Sequence, residues 1–378
     1  MGIKDIATFI KKTKGLDYGR IRELKKYRHR IIAIDGGTFY SRMMINNKIV
    51  LSKIPVEDLA DPDWELSVDD VVPGLLSLVL SFIGTFLSCG VVPLIVFDGS
   101  SPDAKGSTRA KRNKITENSI SRIDNLRDKY SQNGYLDVDD LSALRKELCT
   151  SSFIKREHFD VLKEVLRTCK ISYVQSREEA ERLCVSLVKD GVCKSAYSMD
   201  SDMIAHLCPH WIQEVNGKVS PPTVNVIDAR KIARDLELSE EQLVDFCIMC
   251  GCDYNERISG LGPAKSYNKL IQYKSLDSVY TKKEAKPLRV EICRDMFSYK
   301  KSSDIIDIEG SYGVTVVDGS VSIFVNKNAD LKDKIPKALG KTLAGVNMSS
   351  IENFDNNRIK CSDYWRMRDK KAEKKKKQ

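Results

Sequence analysis

The sequence predicts an α/β fold, with a central, mainly parallel, twisted sheet and helices on both faces. Three observations predict it. Apolar runs at residues 30–34, 91–97 and 192–199 read as buried strands, and each is followed by an aspartate, Asp35, Asp98 or Asp200. Helical spacing lies between them, as in Phe159, Leu162, Val165 and Leu166. The order, strand then helix then strand, is that of a parallel sheet covered on both sides. In such sheets ligands bind beyond the carboxyl ends of the strands, where these three aspartates fall.

With 378 residues, 42% hydrophobic and 30% charged, the chain can bury one large core or two modest ones. Its net charge of +9 favours a polyanionic partner. Eleven irregularly spaced cysteines, and an opening MGIKDIATFIKK without a secretory apolar core, predict a reduced, intracellular protein. The most apolar run, residues 71–90, is interrupted by Pro73, Gly74 and Gly84, so it reads as a buried helix and no membrane partner is expected. Cys247, Cys250 and Cys252 raise a zinc reading, but no second CxxC and only four histidines exist to complete a site. Cys247 and Cys250 instead join Leu243 and Phe246 on one apolar helix face.

Residues 108–157 are strongly charged and helical in pattern, an exposed insertion. Ser239 with Gln242 forms a capping box that starts a helix ending near Gly251. A Gly-Leu-Gly-Pro turn and a second helix follow. The character changes at about residue 288, and VTVVDGSVSIFV, residues 314–325, signals a hairpin. The expected organisation is therefore a domain at 1–287, a C-terminal region at 288–363 and a disordered basic tail at 364–378.

Seven acids stand at strand or helix ends: Asp35, Asp98, Glu179, Glu181, Asp200, Asp202 and Asp253. Each alone reads as well as a turn former or helix cap. Seven in one cleft would repel one another unless cations were bound. Oxygen ligands with little histidine select Mg²⁺ or Mn²⁺. Lys105 and Arg112 are seven apart; on a helix they share a face, either reaching one phosphate or forming a solvated basic surface. In the turn, Gly260 and Gly262 let a ligand approach the backbone, Pro263 suits a first helical position, and the free N–H groups with Lys265 attract phosphate. Taken alone, that turn is an ordinary interhelical connection.

With IDGG at Asp35, VFDG at Asp98, EAE at 179–181, DSD at 200–202 and GCDY at Asp253, the order resembles that of the flap endonuclease family, within the structure-specific 5′ nuclease superfamily. The opening MGI, the stretch VFDGSSPDAKGSTRAKR and the stretch LSEEQLVDFCIMCGCDYNERISGLGPAK carry the likeness, which covers roughly residues 1–285. Residues 36–70 depart from the family's wedge helices, and after residue 288 there is neither similarity nor a recognisable sliding-clamp motif. That divergent back end would suit a virus-encoded member.

The resemblance implies a PIN-like 5′ nuclease fold with a helical arch at 108–157 and a helix-two-turn-helix DNA-binding element at 239–275. It implies two Mg²⁺ ions, replaceable by Mn²⁺, with Asp35, Asp98, Glu179 and Glu181 nearer one and Asp200, Asp202 and Asp253 nearer the other. Lys105 and Arg112 become catalytic residues at the scissile phosphate, and Gly2, Gly260, Gly262 and Lys265 become DNA contacts. The carbonyls of Arg257, Ile258 and Leu261 match the family's K⁺ site. The expected activity is hydrolysis at DNA 5′ flaps or junctions during replication, repair or recombination, by a monomer in the nucleus or at a site of viral DNA replication. A 5′ exonuclease or a four-way-junction resolvase would carry the same acids. A haloacid-dehalogenase-type phosphatase needs two aspartates separated by one residue after the first strand, whereas Gly36 and Gly37 follow Asp35. A non-catalytic DNA-binding scaffold has no use for seven acids in its cleft.

Overall fold

The computed structural model describes residues 2–14, 19–100, 103–152 and 156–324. The tail expected at 364–378, and residues 325–363 of the expected C-terminal region, lie outside the described residues. An eight-stranded sheet runs in the order β1 (Gly19–Glu23), β7 (Thr223–Ile227), β6 (Trp211–Asn216), β5 (Ser195–Tyr197), β2 (Ile31–Asp35), β3 (Val92–Phe97), β4 (Tyr173–Ser176), β8 (Ile306–Tyr312). The middle is parallel, with β2 between β5 and β3. The edges are antiparallel, β1 on β7 and β8 on β4. The third expected strand is shorter than its apolar run, Ser195–Tyr197 only.

The faces of the sheet explain its sequence. Every residue of β2 and β3 is buried, so both read as continuous apolar runs. Along β2, Ile31 and Ala33 join the core that also takes in Leu183, Phe246 and Leu270, while Ile32 and Ile34 join the core built on Leu76, Val79, Phe86 and Leu162. The helix Val68–Ser88 runs unbroken through residues 73 and 74, started by a Ser67–Asp70 capping box.

Residues 106–151 form two helices, Gly106–Asn133 and Val138–Ser151. They are not merely an exposed insertion. Ile123, Leu144, Leu148 and Cys149 close a third, small core against Leu51 and Leu59. Arg127 donates to the carbonyls of Leu59, Pro62 and Trp64, and Arg145 to those of Leu51 and Ile54. Leu51 and Ile54 lie at or just past the end of the helix Thr38–Leu51, so Arg145 supplies donors that the helix terminus lacks.

Past residue 288 the chain continues in contact with the main sheet and its helices. β8 extends the main sheet, and Asp245 of the helix Glu240–Cys250 pairs with Arg294 at 2.8 Å. The hairpin of β9 (Val314–Val317) and β10 (Ser320–Ile323) follows, where the Asp-Gly signal placed it.

Candidate active site

The sheet order sets the site. β5, β2 and β3 are adjacent and parallel, so Asp200, Asp35 and Asp98 fall in a row at their carboxyl ends. Glu179 precedes the helix Ala180–Lys189 and Glu181 lies in its first turn, which brings together two acids that would diverge in mid-helix. The backbone N–H of Ala180 donates to Asp98 at 2.8 Å, tying that helix start to β3. Asp202 opens the short helix Asp202–Ala205, its N–H donating to Asp200 at 3.0 Å. Asp253 comes from the turn after Cys250, and its charge acts on both Asp200 and Asp202.

The charges act on one another as a cluster. Burial, and then the Asp98 charge, push Asp35 up to about 7, against the opposing bonds from the Ser198 hydroxyl and the Gly37 N–H, both at 2.7 Å. Glu181 is raised well above the usual range by burial and by Asp35, Asp98 and Asp200. Asp202 is raised by burial and Asp200, and its buried Oδ1 has no hydrogen-bond partner. Asp98 and Asp200 are raised as well, chiefly by burial.

Lys105 is the counter-charge. Its ammonium pairs with Glu179, lies 3.9 Å from Asp253 and sits over the Tyr254 ring. It ends a 3₁₀ turn just before Gly106, so it is not on the helix with Arg112 as the spacing suggested, yet both converge: Arg112 Nη2 is 3.5 Å from Asp253 Oδ2. Among the described residues no three His, Cys, Asp or Glu side chains are arranged to hold a metal ion, with the Lys105 ammonium and the Tyr254 hydroxyl on Glu179. The donor set nevertheless fits hard divalent cations. It is all carboxylate, burial and then mutual repulsion hold Asp35, Glu181 and Asp202 towards their protonated forms, and a buried Asp202 oxygen is unpartnered.

Of the remaining expected residues, only Gly2 is in contact with this row. Gly2, at φ 88°, lies so close to Asp200 that a Cβ would be 1.9 Å from its Oδ1. Gly260, at φ 75°, and Gly262 have open space where a side chain would stand, and Lys265 is exposed on the helix Pro263–Tyr273. Ile258 O accepts from Leu261 N, so one of the expected K⁺ carbonyls is already engaged.

Four residues that sequence reasoning missed shape the site. The Ser198 hydroxyl donates to Asp35 and accepts the Asp200 N–H at 3.0 Å. The Thr108 hydroxyl donates to the Asp253 carbonyl at 2.7 Å. Tyr254, beside Asp253, buries its hydroxyl on Glu179. Arg289 donates to the carbonyls of Ala104 and Tyr254, at 2.7 and 3.0 Å, joining the Lys105 turn to the Asp253 turn. Only Tyr254 carried a signal, its adjacency to Asp253.

A cluster of strand-end carboxylates with a lysine and an arginine at the foot of a helical cap is the equipment expected of a metal-dependent phosphodiester hydrolase. The XPG N-terminal domain matches residues 1–119 and the XPG I-region residues 170–253, together more than half of the sequence. The chain belongs to the XPG and flap endonuclease family. It is 25% identical to flap endonuclease 1 of Lodderomyces elongisporus over 357 residues, 92% of this chain and 88% of that protein. It is 27% identical to flap endonuclease 1 of Babesia bovis over 271 residues, 71% of this chain but only 38% of that protein. In fold it is similar to the catalytic core of Rad2 in complex with DNA substrate, with a TM-score of 0.60 and 16% identity over 94% of this chain and all of that one. Flap endonuclease-1 from Methanococcus jannaschii gives a TM-score of 0.55 and 19% identity, over 92% and 97% of the two chains.

Proposed function

We propose that this protein is a divalent-metal-dependent, structure-specific 5′ nuclease that hydrolyses a phosphodiester bond at DNA 5′ flaps. The observation that carries it is the row of seven carboxylates facing Lys105 and Arg112. Asp35, Asp98, Glu179 and Glu181 would hold one Mg²⁺, and Asp200, Asp202 and Asp253 the other, with Mn²⁺ able to replace either. Bound there, the ions supply an activated water and neutralise charge developing on the phosphate.

The chain's own groups do the positioning. Ser198 and the Gly37 N–H keep the Asp35 carboxylate turned into the site. Lys105, paired now with Glu179, has a counter-charge it exchanges for the scissile phosphate, while Arg112 approaches the same phosphate from the cap. The turn at Gly260 to Lys265 grips duplex backbone away from the cut. The carbonyls of Arg257, Ile258 and Leu261 are the candidate K⁺ ligands there.

The test is single-turnover cleavage by the full chain of flap, nicked duplex and four-way-junction oligonucleotides, with Mg²⁺ and with EDTA. Mg²⁺-dependent cutting that is fastest at the flap supports the reading. Preference for the junction would make the protein a resolvase, and no cutting of any substrate would overturn the nuclease reading.

A further inference from the structure

The strand β1, GRIRE, is an outer edge of the eight-stranded sheet, and nothing in the site above uses it. It lies four strands from β2, about 19 Å across the sheet, so a molecule seated there leaves the carboxylate row open. Its backbone faces two ways. Leu24 N–H donates to Pro222 O at 2.8 Å, and Arg22 and Arg20 stand opposite Val224 and Val226. By the two-residue alternation of an antiparallel ladder, residues 20, 22 and 24 therefore bond towards β7. The N–H and C=O groups of Ile21 and Glu23 point away from the sheet, and among the described residues no strand pairs with them. Ile21 is 70% exposed between two exposed arginines, Arg20 and Arg22. From there to β2 the chain adds Lys25, Lys26, Arg28 and Arg30, all exposed, against one acid, Glu23, which is paired with Lys25 at 2.9 Å. The excess continues along the sheet, where burial and then Lys194, joined by Arg22 and Arg230 against the opposing Asp228, hold His210 below its usual value.

Charged side chains are the usual guard of a sheet edge, but an exposed β-branched residue amid outward backbone groups is what such a guard avoids. The edge is suited to receive a strand, and its charge selects which. A second copy of β1 centred on Ile21, laid antiparallel or parallel, would set arginine beside arginine on one face. A phosphodiester backbone would meet the cations yet leave Ile21 and the outward N–H groups without a partner. An acidic, extended peptide meets all three features. We propose that β1 docks an acidic extended segment of a partner protein, which adds to the sheet as a further strand with carboxylates opposite Arg20 and Arg22 and an apolar side chain opposite Ile21. Main-chain hydrogen bonds to Ile21 and Glu23 set the register, and the alternation of acidic and apolar side chains sets the specificity. The surface holds the protein on a partner without occupying its carboxylate cleft.

The experiment measures binding of fluorescein-labelled peptides of about ten residues to the full chain at low salt. One alternates glutamate with valine, one carries the same residues in two blocks, and one alternates lysine with valine; a single-stranded DNA oligonucleotide is the other polyanion. Wild type is expected to bind the alternating glutamate peptide about 10-fold more tightly than the blocked one. Arg20→Glu combined with Arg22→Glu, at two exposed positions, should lose that binding by about 10-fold and gain the lysine peptide, since the same ladder then sets opposite charges together. Ile21→Pro removes one outward N–H and keeps the bonds to β7, so affinity should fall about 5-fold. In wild type, bound peptide should slow amide exchange at Ile21 and Glu23 and leave Arg20 and Arg22, already bonded to β7, unchanged. No peptide binding, equal binding of the alternating and blocked peptides, no protection at Ile21 and Glu23, or a charge-reversed protein that fails to gain the lysine peptide would overturn the docking edge. DNA binding that the charge reversal abolishes, without peptide binding, would overturn it too and give the surface to nucleic acid.

Discussion

Two helical pairs flank the site, and they are attached in opposite ways. In the pair Glu240–Cys250 and Pro263–Tyr273, the first helix buries seven residues between Leu243 and Cys250, six of them in the main core. In the cap, the 28-residue helix Gly106–Asn133 buries only Thr116, Ser119 and Ile123. It is held by a satellite cluster and by Arg127 and Arg145 reaching backbone carbonyls of residues 51–64. On the proposed mechanism, the core-bound pair delivers Asp253 to a metal site that needs it fixed, and the pinned cap delivers Arg112 to a phosphate that arrives with the DNA. That reading places rigidity where the ligand is a small ion, and adjustability where it is a polymer.

The largest effect should come from the rigid side. Asp253→Ala, or Asp200→Ala in the same row, should lower single-turnover cleavage by more than about 100-fold while flap binding holds or tightens, since phosphate meets one fewer negative charge. A variant retaining more than about a tenth of the wild-type rate in saturating Mg²⁺ would break the two-metal assignment.

At the foot of the cap, Lys105→Ala and Arg112→Ala should each cost about 100-fold in rate and far less in affinity. Measuring both on one substrate decides the matter. Losses that vanish at saturating enzyme would mean that these cations only steer DNA and that the cap has no part in the chemistry.

The attachment itself can be cut. Replacing Arg127 and Arg145 together by alanine removes five hydrogen bonds, each worth about 1 kcal/mol. The main cores contain neither residue, so the principal thermal transition should move little, while limited proteolysis within residues 106–151 accelerates. Cleavage should fall about 10-fold, since a loosened cap presents Arg112 less often. Unchanged cleavage with accelerated proteolysis would show that the pinning serves stability alone.

The central strands were legible because β2 and β3 are buried on both faces, and the carboxylate set because each member sits at a strand or helix end. The edge strands were not: β1, GRIRE, has an exposed middle, and WIQEVN of β6 is half open. Cap packing was hidden because the short apolar stripes Ile123 and Leu126, and Leu141, Leu144 and Leu148, stand in charged sequence and their partners, Leu51 and Leu59, lie more than sixty residues earlier. Arg289 was hidden for a related reason: it acts through backbone carbonyls of residues 104 and 254, and carbonyls leave no trace in side-chain identity.

The smallest effects belong to the turn ahead of Pro263, and they test whether the core-bound pair grips DNA at all. Gly262 caps the helix Pro263–Tyr273 without a side-chain bond, so its first N–H groups face outward, with the Lys265 side chain exposed one turn on. If a phosphate docks there, Lys265→Ala should weaken binding a few-fold at low salt and reduce the slope of log affinity against log salt by about 0.9, leaving the rate at saturating enzyme unchanged. Gly262→Ala is the sharper probe. Its φ of −83° suits alanine and no atom lies within 4 Å of the new methyl, so the free protein should keep its stability. The methyl meets something only when DNA backbone closes on the turn, and binding should then fall for nicked and flapped duplex alike. A Gly262→Ala protein that binds both as wild type does would remove this turn from the DNA interface and leave the pair with the delivery of Asp253 alone.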